Sequence, residues 1–150
     1  MSGVAFMISI FVLFCLGLFY GNFLEYIIHR YVFHKMGRKK GSMWGYHLRG
    51  HHVLSRKNGF IDLTASQVEN WGLIFIMVVH LPFFWLSIPF WFGINLYATL
   101  FKVLHGYQHS HPKLTQKYMK WHWDHHMKSP NVNFGVVAPW CDYLFGTRKK

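Results

Sequence analysis

Two long stretches without acidic residues and almost without basic ones constrain this chain more than any other feature of its sequence. The first runs over residues 4–24 and contains no charge. A helix of about 21 residues rises about 30 Å, which is the thickness of the hydrocarbon core of a bilayer. A cleaved signal peptide is the alternative, but it would need basic residues ahead of the apolar run and a small-residue cleavage site behind it. We therefore predict a retained membrane helix over residues 4–24.

The second stretch, residues 71–104, has Lys102 as its single charge. As one helix it would be about 50 Å long, which is too long for a single crossing. Pro82 and Pro89 also argue against an unbroken helix. Two buried helices of a soluble protein are the alternative, but the stretch lacks the polar periodicity of such helices. We predict two spans, over residues 71–86 and 90–109, with a turn near residues 87–89.

The basic residues indicate how such a protein would sit in the membrane. All sixteen lysines and arginines lie either in residues 30–57 or in residues 102–150. Three crossings put both regions on one side of the bilayer, and the positive-inside rule names that side cytoplasmic. We expect an integral, multi-pass protein with its N-terminus outside or in the lumen and its C-terminus in the cytoplasm. The net charge of +11 also suggests nucleic acid, but basic residues beside apolar spans indicate anionic lipid instead.

Ten of the twelve histidines occur in four short groups on this predicted cytoplasmic side. Residues three or four apart share a helix face, so the last three groups can each aim several imidazoles in one direction. The first pair is five apart, which suits a helix that bends or ends where it leaves the membrane. Imidazole is a common ligand of transition metals, and ten are too many for one ion. The sequence predicts a two-metal site with the ligands His29, His34, His47, His51, His52, His105, His109, His122, His125 and His126.

These groups resemble the histidine boxes of the fatty acid hydroxylase superfamily, whose members include fatty-acid 2-hydroxylases, sterol C4-methyl oxidases and bacterial carotenoid hydroxylases. The segment EYIIHRYVFH, residues 25–34, looks like the first box, and HWDHH, residues 122–126, looks like the last. The ending NFGVVAPWCDYLFGT, residues 133–147, is similar to that of fatty-acid and sterol members. The second box departs from the usual HxxHH, because three residues separate His47 from His51. An i, i+4 pair still shares a helix face, so His47 stays among the predicted ligands.

The resemblance implies an all-α membrane bundle of about three spans, with a histidine-rich helical cap that holds a dinuclear metal site, in one domain over residues 1–150. It implies an O2-dependent oxygenase that hydroxylates an unactivated C–H bond of a lipid, with a fatty-acyl chain favoured. The cofactors would be two iron ions, with zinc an alternative in purified protein, and we expect no cofactor-binding domain within the chain. Electrons would come from a separate donor of the ferredoxin or cytochrome b5 type, which the basic face would attract. No catalytic residue beyond the metal ligands is expected.

Three carboxylates are predicted to support the imidazoles, because a ligating histidine usually donates its second N–H to a carboxylate or carbonyl. They are Glu25, Asp124 and Asp142, and for each an ion pair with a nearby lysine or arginine is the alternative. We expect His80, in the middle of the second span, to be neutral and bonded to a neighbouring helix. His111, next to Pro112, is expected to lie outside the ligand set.

Other functions stay open at the level of sequence. A carotenoid ring hydroxylase is favoured by the short chain and by the segment RKNGF, residues 56–60. A lipid desaturase would use the same iron chemistry. A non-enzymatic membrane metal-binding or transport protein would need ligands spread across the bilayer, whereas only His80 lies at depth. A haem protein with two axial histidines would need facing histidines inside the spans.

Overall fold

The computed structural model describes residues 2–150, and the side chains of residues 2–64 and 70–150. Its regular structure in these residues is all helical, as the sequence predicts. The α-helices are α1 (Gly3–Ile27), α2 (His52–Lys57), α3 (Ala65–Val79), α4 (Pro82–Leu86), α5 (Ile88–Ser110), α6 (Pro112–Tyr118), α7 (Lys120–Met127) and α8 (Trp140–Leu144). Two π-helical segments, Ile28–Lys35 and Tyr46–His51, and one 3-10 turn, Met36–Arg38, accompany them in this part of the chain.

Helix α1 is the long apolar helix expected at the start of the chain. It begins at Gly3 because the Ser2 side chain accepts a hydrogen bond from the backbone N–H of Ala5, which satisfies an otherwise unpaired donor. Its large apolar side chains are turned outwards, and Phe11 is 66% exposed. The continuous helical run Gly3–Arg38 is the one helix in the described residues that is long and apolar enough to cross a membrane.

The second apolar stretch is divided into three helices. The predicted span over residues 71–86 is interrupted where α3 ends at Val79 and α4 begins at Pro82, whose missing N–H is tolerated in a first helical turn. The turn predicted near residues 87–89 is confirmed, since Ser87 is extended (φ −162°, ψ 100°) and α5 begins at Ile88. The crossing of the membrane by α3, α4 and α5 stays a prediction.

Helices α1 and α5 form the main helix pair, and glycines allow their close approach. A Cβ atom on Gly17 would overlap the carbonyl oxygen of Phe90, and one on Gly93 would overlap the carbonyl oxygen of Phe14. Small residues at a helix crossing bring the two backbones together, which is a common device where helices pack in lipid. The pair therefore has a fixed crossing point, and both helices continue from it towards the histidines.

We expect Gly17→Leu to destabilise the protein, because the new side chain meets backbone atoms that cannot move aside. Overpacking of this kind lowers the free energy of unfolding by about 1–3 kcal/mol. Thermal unfolding in detergent, followed by circular dichroism, should show a lower Tm. Gly3→Leu is the matched control, since a Cβ on Gly3 meets no atom of residues 2–150 within 4 Å. An unchanged Tm for Gly17→Leu would contradict the close crossing.

The segment of residues 132–147 folds back on α1 and joins it to α5. The buried Asn22 amide donates to the Tyr97 hydroxyl (Nδ2–OH 2.6 Å) and to the Ala138 carbonyl (2.8 Å). The Asp142 carboxylate accepts hydrogen bonds from the backbone N–H groups of Phe134 (2.8 Å) and Gly135 (2.7 Å). Buried polar groups are thereby satisfied, and the backbone at Phe134 and Gly135 is held in a fixed position.

Candidate metal centre

Nine histidines form two adjacent clusters in the part of the chain that the structure describes. Within each cluster, one ring nitrogen from every member lies within 4.8 Å of those of the other members. Two nitrogens on opposite sides of a transition-metal ion would be about 4.2 Å apart, given bonds of about 2.1 Å as for zinc, so each cluster has nearly the size of a metal site. The first cluster is His29, His34, His47, His52 and His125, and the second is His51, His105, His109 and His126.

The π-helical segments explain why ligands five residues apart can meet. A π-helix bonds residue i to residue i+5 and is often found at functional sites. His29 and His34 lie in the first such segment, with ring centroids 4.9 Å apart. In the second, the Nε2 atoms of His47 and His52 are 3.2 Å apart. The i, i+4 reasoning placed His47 together with His51, but the structure places these two residues in different clusters.

Pairs of consecutive histidines connect the two clusters. Neighbouring residues of a helix point in different directions, so His51 and His52 serve opposite clusters, as do His125 and His126. The rings of His52 and His126 stack with centroids 4.0 Å apart and planes 8° from parallel. Ions held in the two clusters would therefore be close neighbours. The histidine clusters are consistent with a dinuclear metal site.

His122 lies beside the second cluster without belonging to the nine. Its ring centroid is 4.7 Å from that of His126 and 5.1 Å from that of His109. One ring nitrogen, Nδ1, is hydrogen bonded to Gln108 Oε1. The other, Nε2, is buried and has no hydrogen-bond partner among the described residues. His122 is thus placed to join the second cluster if its ring moves slightly.

Backbone carbonyls fix the ring orientations in the first cluster. The Nδ1 atom of His29 donates to the carbonyl of Phe134, and Nδ1 of His125 donates to the carbonyl of Val132 at 2.6 Å. A donated Nδ1–H leaves the lone pair on Nε2, and the Nε2 atoms of His29 and His47 are 3.0 Å apart at the centre of the cluster. Residues 132–134 therefore supply the outer support of this cluster.

The second cluster has a different support, which the sequence did not predict. Nδ1 of His51 is 2.7 Å from Asp62 Oδ2, and Nδ1 of His109 donates to the Phe60 carbonyl at 2.7 Å. Phe60 is fully buried and has φ 82°, a left-handed conformation that is rare for a bulky residue. Backbone strain of this kind concentrates at functional sites. Here the strained conformation of Phe60 directs its carbonyl towards Nδ1 of His109.

Asp62 is ionised beneath His51. Burial acts to raise the pKa of this carboxyl, but hydrogen bonds from His51 and Thr64 outweigh it and hold the pKa below its ordinary value. Asp62 lies in a loop, eleven positions after His51. Helical spacing therefore could not predict the contact between these two residues. The scarcity of acidic residues, five in the whole chain, was the available signal.

The three predicted carboxylates contact other groups in the described part of the chain. Glu25 accepts hydrogen bonds from the Tyr97 hydroxyl and the Val136 N–H, and Asp142 holds the two N–H groups described above. Both residues therefore anchor the segment that carries the Phe134 carbonyl, rather than an imidazole. Asp124 pairs with Lys120 and Lys128, which is the ion-pair alternative for this residue.

The remaining histidines in the described residues lie apart from the clusters. The Nδ1 atom of His80 bonds the carbonyl of Ile76 (2.7 Å), and its Nε2 lies 3.2 Å from the Tyr20 hydroxyl on α1. This is the bond to a neighbouring helix that the sequence predicts. His111 is exposed and stacks on Tyr107, with centroids 4.1 Å apart.

Burial keeps the clustered imidazoles in the form that binds metal. The pKa values of His47, His52, His122 and His126 lie well below the ordinary range because of burial first and of neighbouring imidazoles second. Burial lowers the pKa of His125 to about 3. Neutral imidazole is the ligating form. Nε2 atoms of His109, His122 and His126 are also buried without hydrogen-bond partners among the described residues, a cost that a bound ion would remove.

An apolar cavity of about 550 Å³ opens from the clusters into the helices. Its upper wall includes His29 and His47 of the first cluster and His51 and His105 of the second. From His105 it extends along α5 as far as Ile94, and eleven helical residues span about 16 Å. The other walls come mainly from apolar side chains of α1, α3 and α5, including Leu24, Ile76 and Phe101, and from Ile28 at the start of the first π-helical segment. This shape fits an extended apolar chain with one carbon at the clusters.

Fold and site together define a helical protein with one long apolar helix and paired histidine clusters that are consistent with a dinuclear metal site. The model of the fatty acid hydroxylase family matches residues 14–147. The chain therefore belongs to the fatty acid hydroxylase family, whose members are membrane-bound diiron hydroxylases.

Two curated relatives are similar to this chain. A ceramide very long chain fatty acid hydroxylase of Saccharomyces cerevisiae is 26% identical over 145 residues, which cover 90% of this chain and 37% of the yeast protein. A dihydroceramide fatty acyl 2-hydroxylase of Arabidopsis thaliana is 27% identical over 146 residues, which cover 88% of this chain and 58% of the plant protein. The chain thus spans less than two thirds of the length of either relative. No solved structure matches it significantly.

Proposed function

We propose that this protein is an O2-dependent diiron oxygenase that hydroxylates a fatty-acyl chain of a membrane lipid. The observation that carries the proposal is the apolar cavity that ends on histidines of both clusters. Family membership supports hydroxylation, and the names of the two relatives support an acyl chain as the substrate.

The proposed metal ligands are the ten predicted histidines, divided by cluster. The first ion is held by the five residues of the first cluster, and the second by the four of the second cluster together with His122. Their neutral imidazoles suit iron, and zinc is the alternative ion in purified protein. Iron bound there would supply the O2 activation that oxidation of an unactivated C–H bond requires. The electrons come from a separate donor of the ferredoxin or cytochrome b5 type.

The proposed topology has three spans, with the metal centre and the C-terminus on the cytoplasmic side. Outward-facing apolar side chains on α3 and α5 support it, since Phe75 is 68% and Val103 60% exposed. Apolar side chains exposed to this degree on long helices suit lipid rather than water. The basic residues on the side of the clusters suit the inner leaflet.

The shape of the cavity determines which carbon of the substrate lies at the histidine clusters. It extends from the clusters into the helical bundle, so the methyl end of an acyl chain would lie deep, near Ile94. The polar end of the lipid would remain near the clusters and the membrane surface. The protein thus positions a carbon close to the polar end, while the aromatic and aliphatic walls exclude water from it. This agrees with the 2-hydroxylation named for the plant relative.

Lipid profiling by mass spectrometry tests the proposed function. The protein would be expressed with a supplied electron donor in a host that makes ordinary lipids and carotenoids, with a His125→Ala variant as the control. We expect a gain of one oxygen on acyl chains that appears only with the wild-type protein. A gain on carotenoids instead would establish a carotenoid hydroxylase, and a loss of two hydrogens a desaturase. No change with the donor present would overturn the oxygenase assignment.

A further inference from the structure

The cavity has a buried floor and an open side, which the exposure of its lining residues distinguishes. Ile94, Tyr97 and His105 line it and are at most 3% exposed. Met43 and Trp71 also line it, yet they are 78% and 77% exposed. The opening therefore lies between the loop that carries Met43 and the part of α3 that carries Trp71. The opening thus faces sideways from the helices and not along their axes.

Gly72 lines this opening, and no side chain or backbone atom that the structure describes requires a glycine there. A Cβ atom on Gly72 would meet no described atom within 4 Å, in contrast to Gly17 and Gly93 at the helix crossing. Its backbone is helical and does not need the left-handed conformation. Glycine inside a helix costs about 0.5–1 kcal/mol relative to alanine. Among the described residues no packing contact offsets this cost, and the missing side chain leaves free space beside the cavity.

The rim of the opening is mainly apolar, and a polar pair lies beside it. Met43, Trp71 and Phe75 are the most exposed of the described side chains that line the cavity. Beside them, the half-buried Lys102 donates a hydrogen bond to Asn70 Oδ1, one turn before His105 on α5. Tryptophan and lysine are typical of the boundary between lipid tails and headgroups. The opening therefore faces acyl chains at that boundary, with a cation close by for an anionic or polar headgroup.

From this arrangement we propose that Gly72 forms a lateral portal, through which the acyl chain of a lipid that stays anchored in the bilayer reaches the metal centre. The proposal rests on the proposed function and adds the route and the state of the substrate. The headgroup would remain at the membrane surface near Lys102 while the chain passes Gly72 between Met43 and Phe75. An acyl chain delivered from the aqueous phase as a soluble thioester is the competing source.

Photo-crosslinking tests the portal without depending on turnover. The full, metal-loaded chain would be placed in phosphatidylcholine nanodiscs with a ceramide that carries a diazirine in its acyl chain. The measured quantity is labelling of the peptide that contains Ile94 and Tyr97. Gly72→Phe should reduce labelling at least tenfold and leave the metal content unchanged. Val78→Phe is the matched control on the same helix, since Val78 is 63% exposed and does not line the cavity.

Three results would overturn the portal. Equal labelling of wild-type and Gly72→Phe protein with equal metal content is the first. Stronger labelling by the same chain supplied as a coenzyme A thioester in solution is the second. If Gly72→Phe loses metal, the smaller Gly72→Leu replaces it, and wild-type labelling of that variant is the third. Labelling without any hydroxylated product would instead contradict the proposed function alone, so the two failures are distinguishable.

Discussion

Alanine in place of His125 or of His51 is expected to lower turnover by at least about 100-fold, because loss of an outer support alone typically costs about 10–100-fold. His125 belongs to the first cluster and His51 to the second. Each variant should therefore lose one of the two bound ions while the other cluster keeps its ligands. Metal analysis of anaerobically purified protein, together with turnover, measures both effects.

Two other histidines provide the controls for that experiment. His80→Ala removes a ring that bonds Tyr20 within the helices, and His111→Ala removes an exposed ring beside Tyr107. Both variants should keep their metal content and much of their activity. Full turnover by His125→Ala protein would contradict the dinuclear assignment, because the deleted nitrogen lies 3.0 Å from Nε2 of His34 at the centre of the first cluster.

The elements and ligand groups that depend on residues close together in the chain could be predicted from the sequence. A charge-free run long enough to span a bilayer predicts α1, and the prolines with Ser87 predict the turn before α5. The sets of histidines follow from their density and spacing. The pairing of His105 with His109 also follows from α-helical periodicity, since both lie on α5 and in one cluster.

The rest depends on contacts between distant residues or on unusual backbone geometry. The π-helical segment moves His47 into the cluster of His52, which α-helical periodicity cannot reveal. His29 is supported by the Phe134 carbonyl, 105 residues later. Every residue has a backbone carbonyl, so the sequence does not indicate which carbonyl accepts a hydrogen bond from His29. Only the folded structure identifies it. The roles of Asp142 and Glu25 are indirect for the same reason, since they hold backbone that in turn orients an imidazole.

These supports come from different parts of the chain, so we expect that the affinities of the two proposed ions can be changed separately. The loop of Phe60 and Asp62 supports the second cluster, whereas the carbonyls of Val132 and Phe134 support the first. The stacked rings of His52 and His126 join the clusters, but neither outer support crosses from one to the other. A change in one support should therefore weaken one ion more than its neighbour.

Three Asp→Asn variants test this separation. Asp62→Asn removes the negative charge beneath His51 and should weaken the second ion by about 10–100-fold. Asp142→Asn leaves one of two buried N–H groups without an acceptor, which costs about 1–3 kcal/mol, and it loosens the carbonyl that orients His29, so the first ion should weaken. Asp124→Asn, which alters pairs with Lys120 and Lys128, should change neither affinity.

Competition with a chelator, followed by metal analysis, measures the two affinities separately. We expect Asp62→Asn and Asp142→Asn protein each to retain one tightly bound ion and to release the other at a chelator concentration that leaves the wild-type protein fully loaded. Combining each with an alanine in the opposite cluster, His125→Ala with Asp62→Asn and His51→Ala with Asp142→Asn, should then empty both sites. Simultaneous release of both ions from either single variant would mean that the stacked His52 and His126 rings couple the clusters more strongly than their separate supports divide them.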